Sequence, residues 1–472
     1  MMSSLDSRHE LTERQVRQML FILLLGGTVV SFSNSALNPA IPVFMSVFDV
    51  DIVIGGWVLN AYMLSMSVEL MLSGYLNKRF AFKPVYSSAV LGFMLGSVLG
   101  MLAPSMPIVI VARALQGFSG GLIIPLSIGM LYQIYPQHKH GRVMALWGIF
   151  IMMSLAFGPL IGAYLVEQFA WWTLFAATIP LSALVIVMVW LFLPQFRSPT
   201  INSSFDMVGF VSLLVWLLAL MTWLSTLKTD FQVNLANVID TGLLAILFLM
   251  FFVIWWVYER RQNQPLLNVH LFTNEIYLHS TIISVTQTLG LMVGLLLLPI
   301  LIQEVMGESA LWTGVILMSA TLMSSITTHF AGKRVDRHGA RGIVILGILI
   351  SSSSMLMLAW CVYQPTFWVL MVVMSVQGVG VGLAYLPTIT VGFSNLSKEV
   401  VTEGAALNNI SRRIVSTVFI TLVTVYVAGR GAQLLANGST QSIAAAIQEI
   451  FVMLAVILFL TIFSARRLPK AA

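Results

Sequence analysis

Residues 107–133 read PIVIVARALQGFSGGLIIPLSIGMLYQ, a run of 27 residues with one charged side chain, Arg113. At a rise of about 1.5 Å per residue such a helix is about 40 Å long, more than the roughly 30 Å of a bilayer's hydrocarbon core. Only a helix satisfies its own backbone groups in lipid, so the stretch reads as a membrane span. Its arginine is then a group that the bilayer tolerates only beside water or a partner. Arg113 lies about six residues, or roughly 9 Å, from the outer end of this span.

Comparable runs recur along the whole chain. Fourteen spans are read near residues 18–38, 52–76, 84–103, 107–133, 142–166, 170–193, 207–227, 238–258, 276–303, 312–332, 341–361, 365–391, 403–428 and 448–466. The composition agrees, because 58% of the 472 residues are hydrophobic and 9% are charged. A water-soluble fold of this size could not hide so much apolar surface. The first span follows Arg8, Arg14 and Arg17 but is too long for a signal segment and lacks a small-residue cleavage site, so it reads as a retained anchor.

Charge sets the orientation. Lys228 and Arg430 fall in outer loops and Arg113, Arg412 and Arg413 fall inside spans, while every other one of the 24 lysines and arginines lies on the side of the N-terminus. The positive-inside rule makes that side cytoplasmic and puts both termini there, as in a multi-pass protein of the plasma (inner) membrane. The basic residues are scattered and not interleaved with aromatics, which excludes nucleic acid as a partner. Cys361 is the one cysteine, so no intramolecular disulfide forms.

Two features repeat about 260 residues apart. Gly74-Tyr-Leu-Asn77-Lys78-Arg79 after the second span recurs as Gly332-Lys-Arg-Val-Asp336-Arg337-His-Gly339-Ala-Arg341, and Gln116-Gly117 with Pro125 recurs as Gln377-Gly378 with Pro387. The spacing predicts an all-α membrane protein of two six-helix bundles, residues 1–195 and 263–472, with a central helix pair inserted at 196–262. Parallel repeats of this kind place a substrate site at their interface near mid-membrane.

The chain resembles the major facilitator superfamily, and within it the fourteen-helix drug/proton antiporter branch. The resemblance covers essentially the whole chain. It rests on Trp57-Val58…Tyr62…Gly74, Arg113-Ala-Leu-Gln116-Gly117, Gly158-Pro159-Leu-Ile-Gly162, Phe205-Asp206-Met-Val-Gly209, Pro265-Leu266-Leu267…Leu271-Phe272 and Leu407-Asn408-Asn409-Ile-Ser-Arg412, in this order. It implies a multidrug efflux transporter working by alternating access. It also implies that the basic segments with Gly74, Asn77, Arg79, Asp336, Arg337, Gly339 and Arg341 form latches that break during the cycle. Read physically, these cations also meet the negative ends of helices and serve as positive-inside anchors. Gly158, Pro159 and Gly162 permit a kink and close helix approach, which the family associates with exporters and which packing alone also explains. In the first span the family carries an acidic residue where this chain has Ser33, so the usual account of cation binding and proton coupling does not transfer.

Candidate cavity residues follow from polar groups at helical spacing. Asn34 and Asn38 share a stripe with Ser31 and Ser35, readable as a cavity wall or as glue between helices. Tyr62, Ser65, Glu69 and Ser73 form another stripe. Glu69 is the carboxylate that stands within a span of the first half, either a proton carrier or a group reaching the inner interface, Lys78 or Arg79. Arg113 and Gln116, Gln287, and Asn409 with Arg412 complete the set. Of Arg412 and the adjacent Arg413, one reads as an anion or substrate contact and the other as paired elsewhere, with purely structural pairing the alternative; Glu403 reads as interfacial, and Glu304 and Glu308 as outer-loop residues.

Neither an ATP-binding Gly-x-x-x-x-Gly-Lys-Ser/Thr loop nor a His-Glu-x-x-His motif occurs, so the reading is a transporter without enzyme activity, cofactor or metal, driven by an ion gradient, with protons expected. His329, His338 and the His138/His140 pair read as loop or interfacial residues. Three functions remain open: proton-coupled export of amphiphilic toxic compounds, export of an anionic metabolite or siderophore-like compound, and a non-transporting sensor or scaffold. Envelope export partners are not specified by the sequence. The charge asymmetry makes a prediction: cysteine probes at residues 78–83, 260–264, 333–341 and the C-terminus should react from the cytoplasmic side alone, and labelling of any of them from outside would overturn the fourteen-span arrangement.

Overall fold

The computed structural model describes residues 12–136, 139–194, 206–226, 235–259, 268–397, 400–438 and 441–469. Fourteen long helices dominate them: α1 (Glu13–Ala36), α2 (Ile52–Arg79), α3 (Phe82–Met101), α4 (Met106–Ile134), α5 (His140–Gln168), α6 (Thr178–Phe192), α7 (Met207–Thr226), α8 (Leu235–Glu259), α9 (Glu275–Ile300), α10 (Ala310–His338), α11 (Ala340–Cys361), α12 (Phe367–Ser394), α13 (Val401–Ala436) and α14 (Ser442–Leu460). Thirteen of the helical stretches are long and apolar enough to cross a membrane, and α8 carries a further apolar stretch over Gly242–Tyr258. The start of α1 and the end of α14 lie on one side, the terminal face; the other is the distal face.

The sequence reading places each span, and the differences lie at the ends. The first continues past Ala36 through a 3-10 turn, Asn38–Ala40, and a short helix, Ile41–Phe48. Pro39 and Pro42 occupy the first turns of those two pieces, where a missing N–H costs nothing. The segments expected as loops at Gly74–Arg79 and Gly332–His338 are the last turns of α2 and α10. Nothing in either stretch breaks a helix until Gly339, whose φ of 74° ends α10 in a conformation that suits glycine. After Pro299 the end of α9 widens into a π turn, Leu301–Val305, as expected where a proline removes a ladder donor. Glu304 and Glu308 are exposed there, at the distal end.

The pairings of the first six helices reappear in the last six. Contacts α1–α5, α2–α4, α3–α4 and α3–α6 are matched by α9–α13, α10–α12, α11–α12 and α11–α14. Two six-helix bundles result. The helices α7 and α8 pack on one another, and α7 packs on α13. An apolar cluster including Leu64, Leu213, Leu217, Trp255 and Leu407 fixes this inserted pair against α2 and α13.

Two seams join the bundles, α2 against α13 and α5 against α10. The apolar cluster shared by both bundles lies on the distal side, where Ile41, Ile52 and Val53 meet Leu297, Leu298 and Ile300. On the terminal side, Met19, Val85 and Leu131 belong to one cluster and Ile283, Val344 and Val391 to another, each confined to its own bundle. The bundles are therefore packed together distally.

Small residues make this packing possible. A Cβ on Gly162 would collide with the backbone of Ala36 on α1, and one on Gly314 would lie 2.7 Å from Pro159 O and 2.9 Å from Ala163 Cβ. Overpacking of such contacts costs about 1–3 kcal/mol. Gly162→Ala should accordingly lower the melting temperature in detergent, whereas Gly148→Ala, with nothing within 4 Å of the added methyl, should leave it unchanged. Gly314→Ala acts between bundles, so it should increase cysteine labelling of the distal seam. Equal stability of all three variants would remove close backbone approach as the reason for these glycines.

Candidate functional site

Polar side chains gather in three groups at the level of the two seams. The first surrounds Arg113, which is fully buried on α4. Its guanidinium lies 4.1 Å over the Tyr62 ring, a cation–π arrangement strengthened by desolvation. Nε donates to Val58 O (3.3 Å), and Nη1 donates to Gln116 Oε1 (2.9 Å) and Ser33 Oγ (3.4 Å). Gln116 Nε2 donates on to Ser97 Oγ at 2.9 Å, and Thr178 Oγ1 donates to the same oxygen at 2.8 Å. Ser33 thus stands at the arginine where the family resemblance puts an acid, and it leaves Arg113 Nη2 without a partner. The Tyr62 hydroxyl is unpartnered as well. This proximity depends on Gly117, because a Cβ there would strike the Tyr62 backbone.

The second group belongs to the other bundle. Arg412 Nε donates to Asn408 Oδ1 at 3.1 Å, and its remaining nitrogens donate to Asn409 Oδ1 and to the Tyr385 hydroxyl of α12. Asn408 Nδ2 in turn donates to Thr281 Oγ1 (3.2 Å) and Ser284 Oγ (3.0 Å) on α9. One turn further, Ser351 Oγ donates to Gln287 Oε1 at 3.0 Å, and Ser354 donates to Gln377. Gln377 is the repeat equivalent of Gln116, and both hold a serine on the third helix of their bundle.

The third group spans the α2–α13 seam. Asn60 Nδ2 donates to Thr421 Oγ1 at 2.9 Å, and Gly56 faces Thr424. These helices run antiparallel, so nine residues down α2 from Asn60 correspond to eight or nine residues back along α13 from Thr421. That register brings Glu69 level with Arg412 and Arg413. Glu69 is fully buried, with Oε2 2.5 Å from the place a Cβ on Gly121 would take, and neither carboxylate oxygen has a hydrogen-bond partner. It does not reach the terminal interface. Arg413 Nη1, on the opposite side of the seam, is also buried without a partner. Among the described residues, Glu69 and Arg113 are the charged side chains that are buried outright.

The remaining candidates fall elsewhere. The first-helix stripe divides: Ser35 Oγ donates to Ser154 O of α5 (3.2 Å), Asn34 is half-buried, and Asn38 is buried with Oδ1 unpartnered. Gly158, Pro159 and Gly162 are buried where α5 meets α1 and α10. Arg79 is exposed and lies 5.9 Å from the Phe80 ring, and Arg341 Nε donates to Leu468 O at 2.8 Å, tying α11 to the end of the chain. Glu403 is exposed and accepts from Asn268 Nδ2 at 2.9 Å. The surroundings of Gly74, the side chains of Asn77, Asp336 and Arg337, and the segments at 196–205 and 260–267 lie outside what is described. Tyr385, Ser97 and Thr178 escaped the sequence reading: each is a single polar group on an otherwise apolar stretch, and only the fold aims it at an arginine or glutamine.

Comparison with known proteins agrees with this geometry. A sequence family described as Major Facilitator Superfamily matches residues 23–420. A multidrug resistance protein B homolog of Mycobacterium tuberculosis (strain ATCC 25618 / H37Rv) is 24% identical over 406 residues, covering 86% of this chain and 75% of the relative. The fatty acid resistance protein FarB of Neisseria gonorrhoeae is 26% identical over 396 residues, covering 82% and 76%. The inward-open structure of the xylose transporter XylE from E. coli superposes with a TM-score of 0.65 at 13% identity, covering 97% of both chains. That last likeness is one of fold.

The Arg412 network yields a test. Lysine keeps the charge but loses the planar fork that reaches Asn408, Asn409 and Tyr385 together. Hydrogen bonds to a charged group are worth about 1.5–3 kcal/mol, so Arg412→Lys should lower transport by about tenfold or more at matched membrane abundance. Arg412→Ala should lower it at least as far. Wild-type transport by Arg412→Ala would leave the arginine a packing residue.

Proposed function

The chain belongs to the major facilitator superfamily, and on that premise we propose that it exports amphiphilic toxic small molecules in exchange for protons. Residues 1–195 and 263–472 rock against one another, with 196–262 riding on the seam between them. Glu69 carries the proton. One observation carries this reading: a fully buried carboxylate with no hydrogen-bond partner, packed on Gly121 and level with the arginines of the opposite bundle. Isolated buried charge is costly, so a chain keeps such a group where its charge state is used. The name of the Mycobacterium relative supports a drug-like substrate.

Alternating access supplies the mechanism. The bundles are packed together on the distal side, so a substrate entering this conformation comes from the terminal face, which the basic residues assign to the cytoplasm. Relaxing the distal contacts while closing the terminal side presents the same polar groups to the other compartment. Coupling then requires a group that gains a proton on one side and loses it on the other, and a glutamate inside the seam can do so.

A second reading concerns substrate charge. Arg113 Nη2, Arg413 Nη1 and the Tyr62 hydroxyl are buried donors without partners, a set that suits an amphiphilic carboxylate better than a cation. The name of the Neisseria relative points the same way.

Purified protein in proteoliposomes under an imposed pH gradient tests both. Addition of substrate should release a proton flux, and Glu69→Gln, a fixed neutral amide, should abolish that flux while substrate still binds. Retention of wild-type flux and pH dependence by Glu69→Gln would remove Glu69 from coupling. A paired panel of cationic and carboxylate amphiphiles decides between the two substrate readings.

A further inference from the structure

A buried acid on one wall of a seam stands level with a half-buried arginine on the other, and each has an atom held from solvent without a partner. Glu69 on α2 is fully buried with both oxygens unbonded, and Arg413 on α13 has Nη1 buried and unbonded. Antiparallel register fixes their level, since Asn60 donates to Thr421 and Gly56 faces Thr424. Arg412, the neighbouring arginine, is committed to Asn408, Asn409 and Tyr385 within its own bundle. Arg413 is therefore the cation left to answer Glu69. We propose that Glu69 and Arg413 form an ion pair across the α2–α13 seam when the bundles close on the terminal side, and that a proton on Glu69 releases it.

The physical argument is one of exchange. Each charge alone is costly to hold away from water, and each neutralises the other when they meet. An ionised Glu69 thus pulls α2 toward α13 and favours the conformation closed at the terminal face. Protonation removes the attraction, leaves Arg413 to water or to an anionic substrate, and lets the terminal side spread. Distal packing needs no such charge, because the apolar cluster of Ile41, Val53, Leu298 and Ile300 already holds it. Proton uptake is then converted into movement of one bundle against the other at a single place.

Other titratable groups near Glu69 do not substitute for Arg413. From α13 come Arg412, already bonded, and Arg413. Among the described side chains, α4 offers none between Arg113 and Tyr132, α7 none along Met207–Thr226, and α1 none between Arg17 and Ala36. On α3, Lys83 is bound to Trp190 O at 3.0 Å at the terminal end. On α2 itself, Tyr62 lies two turns away beneath the Arg113 guanidinium.

This inference rests on the assignment of Glu69 as proton carrier, and the test separates the two. Spin labels at Leu72→Cys and Ala406→Cys, in a Cys361→Ser background in nanodiscs, report the terminal-side width of the seam as pH is varied. The unmodified pair should show two distances, the shorter gaining about tenfold in population as pH rises through the titration of Glu69. Glu69→Gln should hold the longer distance at every pH, Arg413→Gln should do the same, and Arg413→Lys should restore the response. Arg413→Gln with an unchanged pH response would overturn the ion pair even where Glu69→Gln has lost proton flux. Proton flux retained by Glu69→Gln would instead remove the coupling assignment and the inference with it. If either single neutral variant is unstable, the double variant Glu69→Gln/Arg413→Gln removes both charges, and a pH-dependent distance in it would equally overturn the pair.

Discussion

Charge inside a lipid-bounded bundle is the constraint around which this structure is organised. A soluble protein offers a buried guanidinium water within a few ångströms, whereas a helix bundle in hydrocarbon must supply every partner from its own side chains. The surroundings of Arg113 follow from that demand. Gly117 lets α2 and α4 approach until Tyr62 covers the guanidinium, and Gln116, Ser97, Thr178 and Ser33 continue the polar path through α1, α3 and α6. The demand is not fully met, and the shortfall is informative: Arg113 Nη2, the Tyr62 hydroxyl, both Glu69 oxygens and Arg413 Nη1 are buried without partners.

The internal repeat explains where the constraint is relaxed. The two bundles share their helix pairings and the glutamine–serine contact, Gln116 with Ser97 and Gln377 with Ser354. Charge breaks the symmetry. The position in α12 equivalent to Arg113 is Met374, and the second bundle carries its membrane arginines on α13 instead. An acid on the second helix of one bundle and arginines on the fifth helix of the other set opposite charges on the two sides of the α2–α13 seam.

Much of this was legible in the sequence, and the limits are physical. Hydrophobic runs and sparse charge gave the fourteen helices, and Arg113 with Gln116 stood out because nothing else in their span is charged. Glu69 was harder. Counting back from a supposed loop at Gly74 set it five residues from the interface, but α2 runs unbroken to Arg79, which puts it ten residues deep and fully buried. No local signal marks where a membrane helix ends when basic residues continue its last turn. Tyr385 was invisible because an aromatic among apolar residues looks like lipid-facing surface until α12 is set beside Arg412. The partition of Arg412 and Arg413 between two sides of one helix likewise needs the neighbouring helices, since adjacent residues differ by about 100° around the axis.

The two seams between the bundles are built differently, and that difference bears on how such a molecule can move. Where α5 meets α10, Gly314 lies against Pro159, Leu160 and Ala163, and the Leu311 N–H donates to Glu167 at the distal rim. Backbone packs closely on backbone there, and the carboxylate it includes lies at the distal rim and not within the seam. Where α2 meets α13, Gly56 and Asn60 hold the distal half, and the terminal half contains the acid and the arginines. In the proposed cycle a rocking motion about the first seam opens or closes the second, where the buried acid stands. The buried carboxylate, Glu69, therefore sits at one of two symmetry-related seams, whereas the carboxylate at the other, Glu167, lies at its distal rim.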